Sequence, residues 1–597
     1  MHQTSGLHTF HIPVMGLGYT VDTPLKVAKF GISSVVSIMD DILLEDMRKI
    51  HSQKLNLPFE PISEEEEDYR AKRIQAYLDF LHTVIQSQLE TLKSENWNKD
   101  GIMKELVALL PKENEIARLF DAYLLADHFE KCDLKSQILT LLTPGSIDVN
   151  IMTKVDKLNF DKEGIELPRE YSDALSALRG FGKSKLEAAV VFSAGMNPAL
   201  YSYVEQFSDF FPNEKGEIKK RIILKVSDYR SALIQGKFLA KKGLFVSEFR
   251  IESGLNCGGH AFATDGFLAG PILEDFKINR EELIETIRQS CNQALLAKAQ
   301  TPLANSESIK ITYQGGIGTA GEDNFLRNYY HLDSTGWGSP FLLVPEATSV
   351  DDETLQRIIE AKKSDFYLSH ASPLGIPFNN LRTSSGEKQR FERIEKGRPG
   401  SPCYKKFLAF STEFTEKPIC TASRQYQNLK VKLFNDGKVS RRELDEILEK
   451  DCLCEGLSAP AILAQGELPR RNLKAVTICP GPNLAYFKGI YSLKEMVDHI
   501  YGKITLTLDS DRPHVFVKEA QLYVDYLKKE FQKLIPEAPS KQEAYLEKFR
   551  RNLDIGLTYY QNLVNSIKMD SEEILEKMKV QLEELKAELE QLKPVLS

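Results

Sequence analysis

The sequence has little cysteine, no long apolar run and no excess of positive charge. Eight cysteines in 597 residues are too few for a disulfide scaffold, so a reducing, cytoplasmic setting is expected. No apolar stretch approaches the ~20 residues that span a bilayer, and the N-terminus lacks the pattern of a secretory signal. The net charge of −8 gives no electrostatic reason to expect a nucleic acid or an anionic membrane as partner.

The length and composition are those of a globular chain with several domains. Apolar residues make up 42% and charged residues 27% of the chain, and 597 residues exceed one ordinary core. Composition and periodicity predict four parts: a β/α segment over residues 1–40 and 141–364, a helical insertion over 41–140, a cysteine-bearing domain over 365–514 and a helical tail over 515–597.

Strand-like and helix-like stretches alternate in the β/α segment. The strand-like stretches are HIPVMGLG, ISSVVSI, SIDVNIM, EAAVVFSAG, RIILKVS, LFVSEFRIES, SIKITYQGG and SPFLLVPEA. Eight strands separated by helices predict an α/β fold of the (β/α)₈ TIM-barrel type, with the helical insertion after the second strand. A doubly wound open sheet is the structural alternative.

The end of the tail has apolar residues at alternating steps of three and four. They are Leu575, Met578, Leu582, Leu585, Leu589 and Leu592. This pattern predicts either a short coiled coil, which would make a homo-oligomer, or an amphipathic helix docked on its own domain.

Glycine-rich loops follow several of the predicted strands, where a TIM barrel carries its working residues. In GLNCGGH, Gly258 and Gly259 allow the backbone to approach a flat or bulky ligand. His260 would be aimed at that ligand, or it is a packed or surface histidine. Backbone amides after the two last strands predict a phosphate site at Gly315, Gly316, Gly338 and Ser339. Tight turns that need a positive φ are the alternative.

A family resemblance rests on the order of PVMGLGYTVDTPLKVAKFGISSVVSI, DVNIM, VVFSAGMNP, NCGGH, YQGGIG and GSPFLLVPE. Over about residues 10–40 and 145–350 the chain resembles the nitronate monooxygenase and flavin-dependent enoyl-acyl-carrier-protein reductase group. The resemblance implies an FMN-binding TIM barrel, with the Met15–Gly16 backbone and Asn150 near the flavin ring. It also implies that His260 stands beside the ring as proton donor or acceptor, or as an anchor for the substrate.

The chain departs from that family at NCGGH, where the family commonly has E-A-G-G-H. Cys257 is therefore a candidate second redox or acid group, with a small packed side chain as the alternative. The expected function is that of a nitronate monooxygenase-like FMN-dependent oxidoreductase, which acts on a small-molecule substrate at flavin N5. The alternatives are an enoyl reductase component of a polyketide or fatty acid synthase, which would bind an acyl carrier protein, a flavin and iron–sulfur enzyme acting on RNA, and a non-catalytic scaffold.

Five cysteines lie between residues 365 and 514, beside proline, glycine or charged residues: Cys403, Cys420, Cys452, Cys454 and Cys479. Four thiolates could hold a [4Fe–4S] cluster or a zinc ion, and unrelated free cysteines are the alternative. A cluster beside a flavin would relay single electrons from an electron donor. The basic runs SRQYQNLKVKLF and PRRNLK predict solvated surface, with contact to nucleic acid as the second interpretation.

Overall fold

A computed structural model describes residues 6–95, 97, 100–153, 155–193, 195–261, 265–533, 540–566 and 572–592. Eight parallel strands form a closed barrel, in which each strand pairs with the next and the last pairs with the first, His11 opposite Gly336. The strands are β1 (Phe10–Ile12), β2 (Ser33–Ser37), β3 (Ile147–Met152), β4 (Ala189–Ser193), β5 (Arg221–Val226), β6 (Val246–Glu252), β7 (Lys310–Gln314) and β8 (Ser334–Gly336). The closed barrel confirms the predicted TIM-barrel fold and excludes the open sheet.

Alternation along the strands separates the inside of the barrel from its outer layer. A small apolar cluster joins β2, β4 and β5: Val35, Ala189, Val191 and Ile223. The intervening residues belong to the main hydrophobic core. Because side chains alternate with a period of two, Ser193 and Lys225 share the face of Val191 and Ile223, one step nearer the carboxyl ends of β4 and β5.

The prediction that SPFLLVPEA forms the eighth strand is wrong. The chain pairs as a strand at Ser334–Gly336, before this run, and Ser339–Leu343 forms a 3₁₀ helix with Pro340 near its start. All five residues of that 3₁₀ helix are buried. A short apolar run satisfies a buried helical turn as well as a buried strand, so periodicity cannot separate the two.

Helices surround the barrel and fill the predicted insertion. After α1 (Thr23–Val27), the insertion between β2 and β3 contains α2 (Asp41–Lys54), α3 (Tyr69–Ser94), α4 (Ile102–Leu109), α5 (Glu115–Leu125) and α6 (His128–Leu141). Asp40, Asn114 and Asp127 cap α2, α5 and α6 by accepting from backbone amides. The barrel continues with α7 (Asp173–Lys183), α8 (Pro198–Tyr203), α9 (Tyr229–Ala240), α10 (Ala269–Ile278), α11 (Arg280–Ala297), α12 (Ala320–Tyr329) and α13 (Asp352–Glu360).

The chain after the barrel forms a hairpin, six helices and a tail. The antiparallel hairpin consists of β9 (Phe366–Ser369) and β10 (Phe378–Leu381). The helices that follow are α14 (Ser385–Glu395), α15 (Arg424–Asn435), α16 (Arg441–Leu448), α17 (Leu453–Gly456), α18 (Ala459–Leu463) and α19 (Leu493–Ile500). The tail consists of α20 (Val515–Lys533), α21 (Ser540–Ser566) and α22 (Glu572–Gln591).

The tail packs on itself and on the barrel. Four apolar residues of the heptad-like pattern are buried in α22, which contacts α20 and α21: Met578, Leu582, Leu585 and Leu589. The pattern therefore serves a helix docked within the chain, and a homo-oligomer stays a prediction. One hydrophobic core includes residues of all four predicted parts, so the division into domains also stays a prediction. Across the described ranges, no helix combines the length and apolar character that a membrane crossing needs.

Candidate functional site

A cavity of about 190 Å³ lies at the carboxyl ends of strands β1 to β6. Polar side chains from the strand ends line it: Ser37, Asn150, Ser193, Lys225 and Glu252. This is the face of a TIM barrel on which active sites are built. The strand count predicted this location, and the alternation of side chains determines which residue of each strand points into the cavity.

The rest of the cavity wall is mostly apolar and comes from two parts of the chain. The barrel contributes Val14, Leu17, Met39, Met152 and Val155. The segment after the barrel contributes Phe378, Phe407, Leu408, Leu453 and Leu457. The cavity is therefore covered by a part of the chain for which the sequence predicted a separate cysteine-bearing domain.

His260 lines this cavity, as the position of GLNCGGH after β6 predicted. Its Nε2 lies 2.7 Å from the hydroxyl oxygen of Ser372, and its ring meets Phe378 edge-on at a centroid distance of 5.2 Å. Burial lowers the pKa of His260 from 6.5 to about 4. The imidazole is therefore neutral at pH 7, the form that can accept a proton.

Asn150 carries a buried polar atom that lacks a partner. The residue lies in β3 and lines the cavity, and no donor in the described part of the chain reaches its Oδ1. An unpaired buried amide oxygen costs about 1–3 kcal/mol. A ligand that donates a hydrogen bond at this position would remove that cost.

Lys225 and Glu252 form an ion pair inside the cavity, and neither was among the residues predicted from the sequence. Lys225 Nζ lies 2.7 Å from Glu252 Oε2, and the two side chains are 14% and 19% exposed. A signal was present, because each residue occupies an inward-facing position near the end of a strand. A charged side chain there indicates a site rather than packing.

A close contact requires glycine at one of the two positions before His260. A Cβ on Gly258 would lie 2.1 Å from the carbonyl oxygen of Cys479, whereas a Cβ on Gly259 would meet nothing within 4 Å. Both line the cavity and both have a positive φ. At the end of β1, Gly16 lines the cavity, while Met15 is buried outside its wall and donates its amide to Thr20 Oγ1.

The predicted phosphate loops do not line the cavity. Gly315 and Gly316 have φ values of +109° and +84°, which only glycine adopts readily, so they fit the tight-turn alternative. A Cβ on Gly338 would lie 2.7 Å from Cβ of Cys257. Ser339 Oγ donates to the Cys257 carbonyl and accepts from the Gly481 amide. In this conformation the loops are packed against protein, and their phosphate role stays a prediction.

Cys257 lies outside the cavity wall, which agrees with the packed alternative, and its catalytic role stays a prediction. Its thiol would be 2.9 Å from a Cβ on Gly338, so it fills the space that this glycine leaves. Burial raises the pKa of the Cys257 thiol far above its usual range. A buried thiol that stays protonated packs as a small apolar group.

Cys403, Cys420, Cys452 and Cys454 lie close enough to interact electrostatically, but in this conformation they are not arranged as one ligand set. Cys454 lines the large cavity, whereas Cys452 lines a small neighbouring one, because residues two apart at the start of α17 face different directions. Cys403 and Cys420 contact each other, and Cys479 covers Gly258. In the residues that the structure describes, no three His, Cys, Asp or Glu side chains are arranged to hold a metal ion. The iron–sulfur and zinc predictions thus gain no support.

The two basic runs carry paired charges. Lys430 is buried and lies 2.8 Å from Glu413 and 3.0 Å from Glu443. Arg470 pairs with Asp46 at 2.7 Å. One charge in each run is thus neutralised within the chain, and these two residues do not favour the RNA alternative.

Several solved structures contain chains that are similar to this one. No protein-family model matches the sequence, and no curated protein matches it. A crystal structure of nitroalkane oxidase from Streptomyces ansochromogenes is similar over 56% of this chain and 86% of its own, at 12% identity and a TM-score of 0.25.

Proposed function

We propose that the protein is a flavin-dependent oxidoreductase that binds FMN in the cavity at the carboxyl ends of β1 to β6. The observation that carries the proposal is the Oδ1 of Asn150, which has no partner in the described part of the chain and lies in a cavity that also contains a neutral His260. When bound, the flavin would supply the acceptor or donor of a hydride or of electrons, and the residues of this chain would orient the substrate and move its proton.

The cavity residues fit the ring end of a flavin. The ring offers an apolar surface and a polar edge with donors and acceptors, and the cavity offers apolar walls, the backbone at Gly258–Gly259 and the Asn150 amide. Lys225 could contact a polar ring edge while Glu252 neutralises its charge. The family resemblance implies that Asn150 contacts the ring. The Oδ1 of Asn150, which lacks a partner among the described residues, agrees with this expectation.

The phosphate end fits less well in this conformation. An FMN phosphate held by the amides at Gly338–Ser339 would require Gly481 to release its hydrogen bond to Ser339 Oγ. We infer that the segment containing Gly481 moves when FMN binds. Riboflavin, which lacks the phosphate, would not need this movement.

His260 is the proposed proton carrier. A neutral imidazole can accept a proton from a substrate carbon, or from water before passing it to carbon. The hydrogen bond with Ser372 at 2.7 Å fixes the ring orientation. The low pKa predicts that the basic form persists well below pH 6.5.

The apolar cover favours a substrate with a hydrocarbon body. Phe378, Phe407 and Leu457 would exclude water and contact such a group. Alkyl nitronates and enoyl thioesters both satisfy this requirement, and the first would be oxidised whereas the second would be reduced. The enoyl reductase role is therefore the second candidate, and assays with the two substrate classes separate them.

A visible spectrum and a substrate assay test the proposal. The purified protein, or protein incubated with FMN, is expected to show flavin absorption near ~450 nm, with FMN released on acid treatment. A protein that binds no flavin under either condition would refute the proposal and favour the scaffold. Retained FMN without turnover of either substrate class would refute the assigned reactions.

The His260→Ala variant tests the proton role. Turnover is expected to fall by about 10²–10⁴-fold with flavin retained, because general acid–base catalysis contributes that much. The exposed His128 of the insertion gives the matched control, and His128→Ala is expected to leave turnover unchanged. Equal turnover of His260→Ala and wild type would contradict the role.

A further inference from the structure

Both ends of the loop that carries His260 form hydrogen bonds with one carboxylate of the tail. This loop runs from the end of β6 to the start of α10, and Glu519 lies on the tail helix α20. Glu519 Oε1 accepts from the amide of Gly254 at 3.0 Å, and its Oε2 accepts from the amide of Ala269 at 2.8 Å. A single side chain thus joins two backbone positions that are 15 residues apart in sequence.

The carboxylate itself is held from a second tail helix. Tyr560 of α21 donates its hydroxyl to Glu519 Oε2 at 3.2 Å and accepts from the amide of Gly270 at 3.0 Å. Glu519 is 1% exposed, and the pKa of its carboxyl is raised to about 7 by burial. Burying a carboxyl at this cost is typical of a functional site rather than of a surface contact.

The tail also packs closely against the loop at two of its glycines. A Cβ on Gly254 would lie 2.2 Å from the hydroxyl oxygen of Tyr523, and one on Gly266 would lie 2.3 Å from the carbonyl oxygen of Phe549. Asn552 of α21 donates to the carbonyl of Asp265 at 2.8 Å. The tail therefore contacts the loop at its start, near its later part and at its end.

We propose that Glu519 is a positioning residue for His260: its carboxylate fixes both ends of the loop, which makes the C-terminal helices a part of the active site. The middle of the loop is held by β10, whose Asn379 donates its amide to the carbonyl of Gly259 at 2.9 Å. With its ends fixed by Glu519 and its middle fixed by β10, the loop can present His260 to the cavity in one position. That this position serves catalysis rests on the proposed function, whereas the clamp does not.

Hydrogen exchange of the full-length Glu519→Gln variant tests the clamp directly. A glutamine has one acceptor oxygen and places an NH₂ group against the second amide, so one of the two loop ends loses its bond. Exchange of peptides covering residues 253–261 and 265–270 is expected to accelerate by roughly one to two powers of ten, with β3 and β10 unchanged. Asp525→Asn, an exposed carboxylate-to-amide change on the same helix, is the control and should change nothing.

Turnover gives the second measurement. If the protein binds FMN as proposed, Glu519→Gln should lower kcat by about tenfold or more and change KM much less, because the apolar cover, Asn150 and Lys225 stay in place while His260 is displaced. Glu519→Asp, which keeps the charge, should recover part of kcat. A protein without flavin would refute the proposed function and leave the exchange measurement valid.

Two results would overturn the proposal. One is unchanged exchange in the loop of Glu519→Gln, and the other is an equal increase in the barrel strands, which would indicate a merely structural role. If Glu519→Gln does not fold, the Tyr560→Phe variant is used instead, because this substitution removes the hydroxyl that donates to the Glu519 carboxylate. Tyr560 contacts the Gly270 end of the loop directly and the Gly254 end through Glu519, so faster exchange of residues 253–261 in Tyr560→Phe supports the clamp and unchanged exchange there overturns it.

Discussion

Replacing Asn150 by leucine should have opposite effects on stability and on flavin binding. In the flavin-free protein the buried Asn150 Oδ1 has no partner among the described residues, which costs about 1–3 kcal/mol. Leucine has a similar size and no polar atom. The flavin-free Asn150→Leu variant should therefore be as stable as the wild type, or more stable by about 1–2 kcal/mol.

Flavin affinity should fall in the same variant. The bound ring would lose its hydrogen bond to the amide and bury an unpaired group of its own, at about 1–3 kcal/mol, which corresponds to roughly 5- to 150-fold in Kd. Urea unfolding of flavin-free protein measures the stability, and quenching of flavin fluorescence measures the affinity. The two measurements need separate samples, because bound flavin itself stabilises the folded state.

A matched asparagine controls for the substitution itself. Asn380 is also buried in a strand, but its Nδ2 donates to Glu387 and its Oδ1 accepts from Leu381. Asn380→Leu should destabilise the protein by about 1–3 kcal/mol, because its partners stay buried and unpaired. The reasoning is refuted if Asn150→Leu destabilises the flavin-free protein as much as Asn380→Leu does, or if it binds flavin like the wild type.

Three further outcomes are expected. Gly258→Ala should destabilise the protein by about 3 kcal/mol or more and Gly259→Ala by only about 1–2 kcal/mol, because only the first Cβ meets the Cys479 carbonyl; equal losses in urea unfolding would contradict this. The raised pKa of Glu519 means that the folded protein holds this proton more tightly than the unfolded chain, so stability should fall by about 3 kcal/mol between pH 5 and pH 8 relative to Glu519→Gln; parallel pH profiles would exclude it. Leu582→Ala should cost about 2–5 kcal/mol, since this fully buried side chain holds α22 on the tail; a loss below 1 kcal/mol would show that α22 packs loosely.

The barrel could be predicted because its signals are local. Strands β2 to β7 are short apolar runs bounded by polar or glycine residues, and the helices between them carry caps and periodic apolar residues. The eighth strand could not be placed this way, because Ser334–Gly336 has almost no apolar character and owes its pairing to β1 and β7. The position of β8 is determined by the closure of the barrel, and no short stretch of sequence encodes that closure.

The site was only partly predictable for a related reason. His260 and its glycines stand together in the chain, so the sequence displays them as a motif. Ser372 is 112 residues away from its partner His260, and Glu519 lies 265 residues after Gly254. Such partners meet only through the fold, and a lone serine or glutamate gives no local signal of that meeting.

The segments outside the barrel determine the chemistry of His260. An imidazole in an open loop has a pKa near ~6.5, whereas here Ser372 and Phe378 cover the ring and burial lowers the pKa to about 4. The same cover adds apolar side chains to the cavity wall, which strengthens the polar contacts beside it. At its ends the loop is held by Glu519. The barrel thus supplies the position of the site, and the chain after the barrel supplies the protonation state and orientation on which a proton transfer by His260 depends.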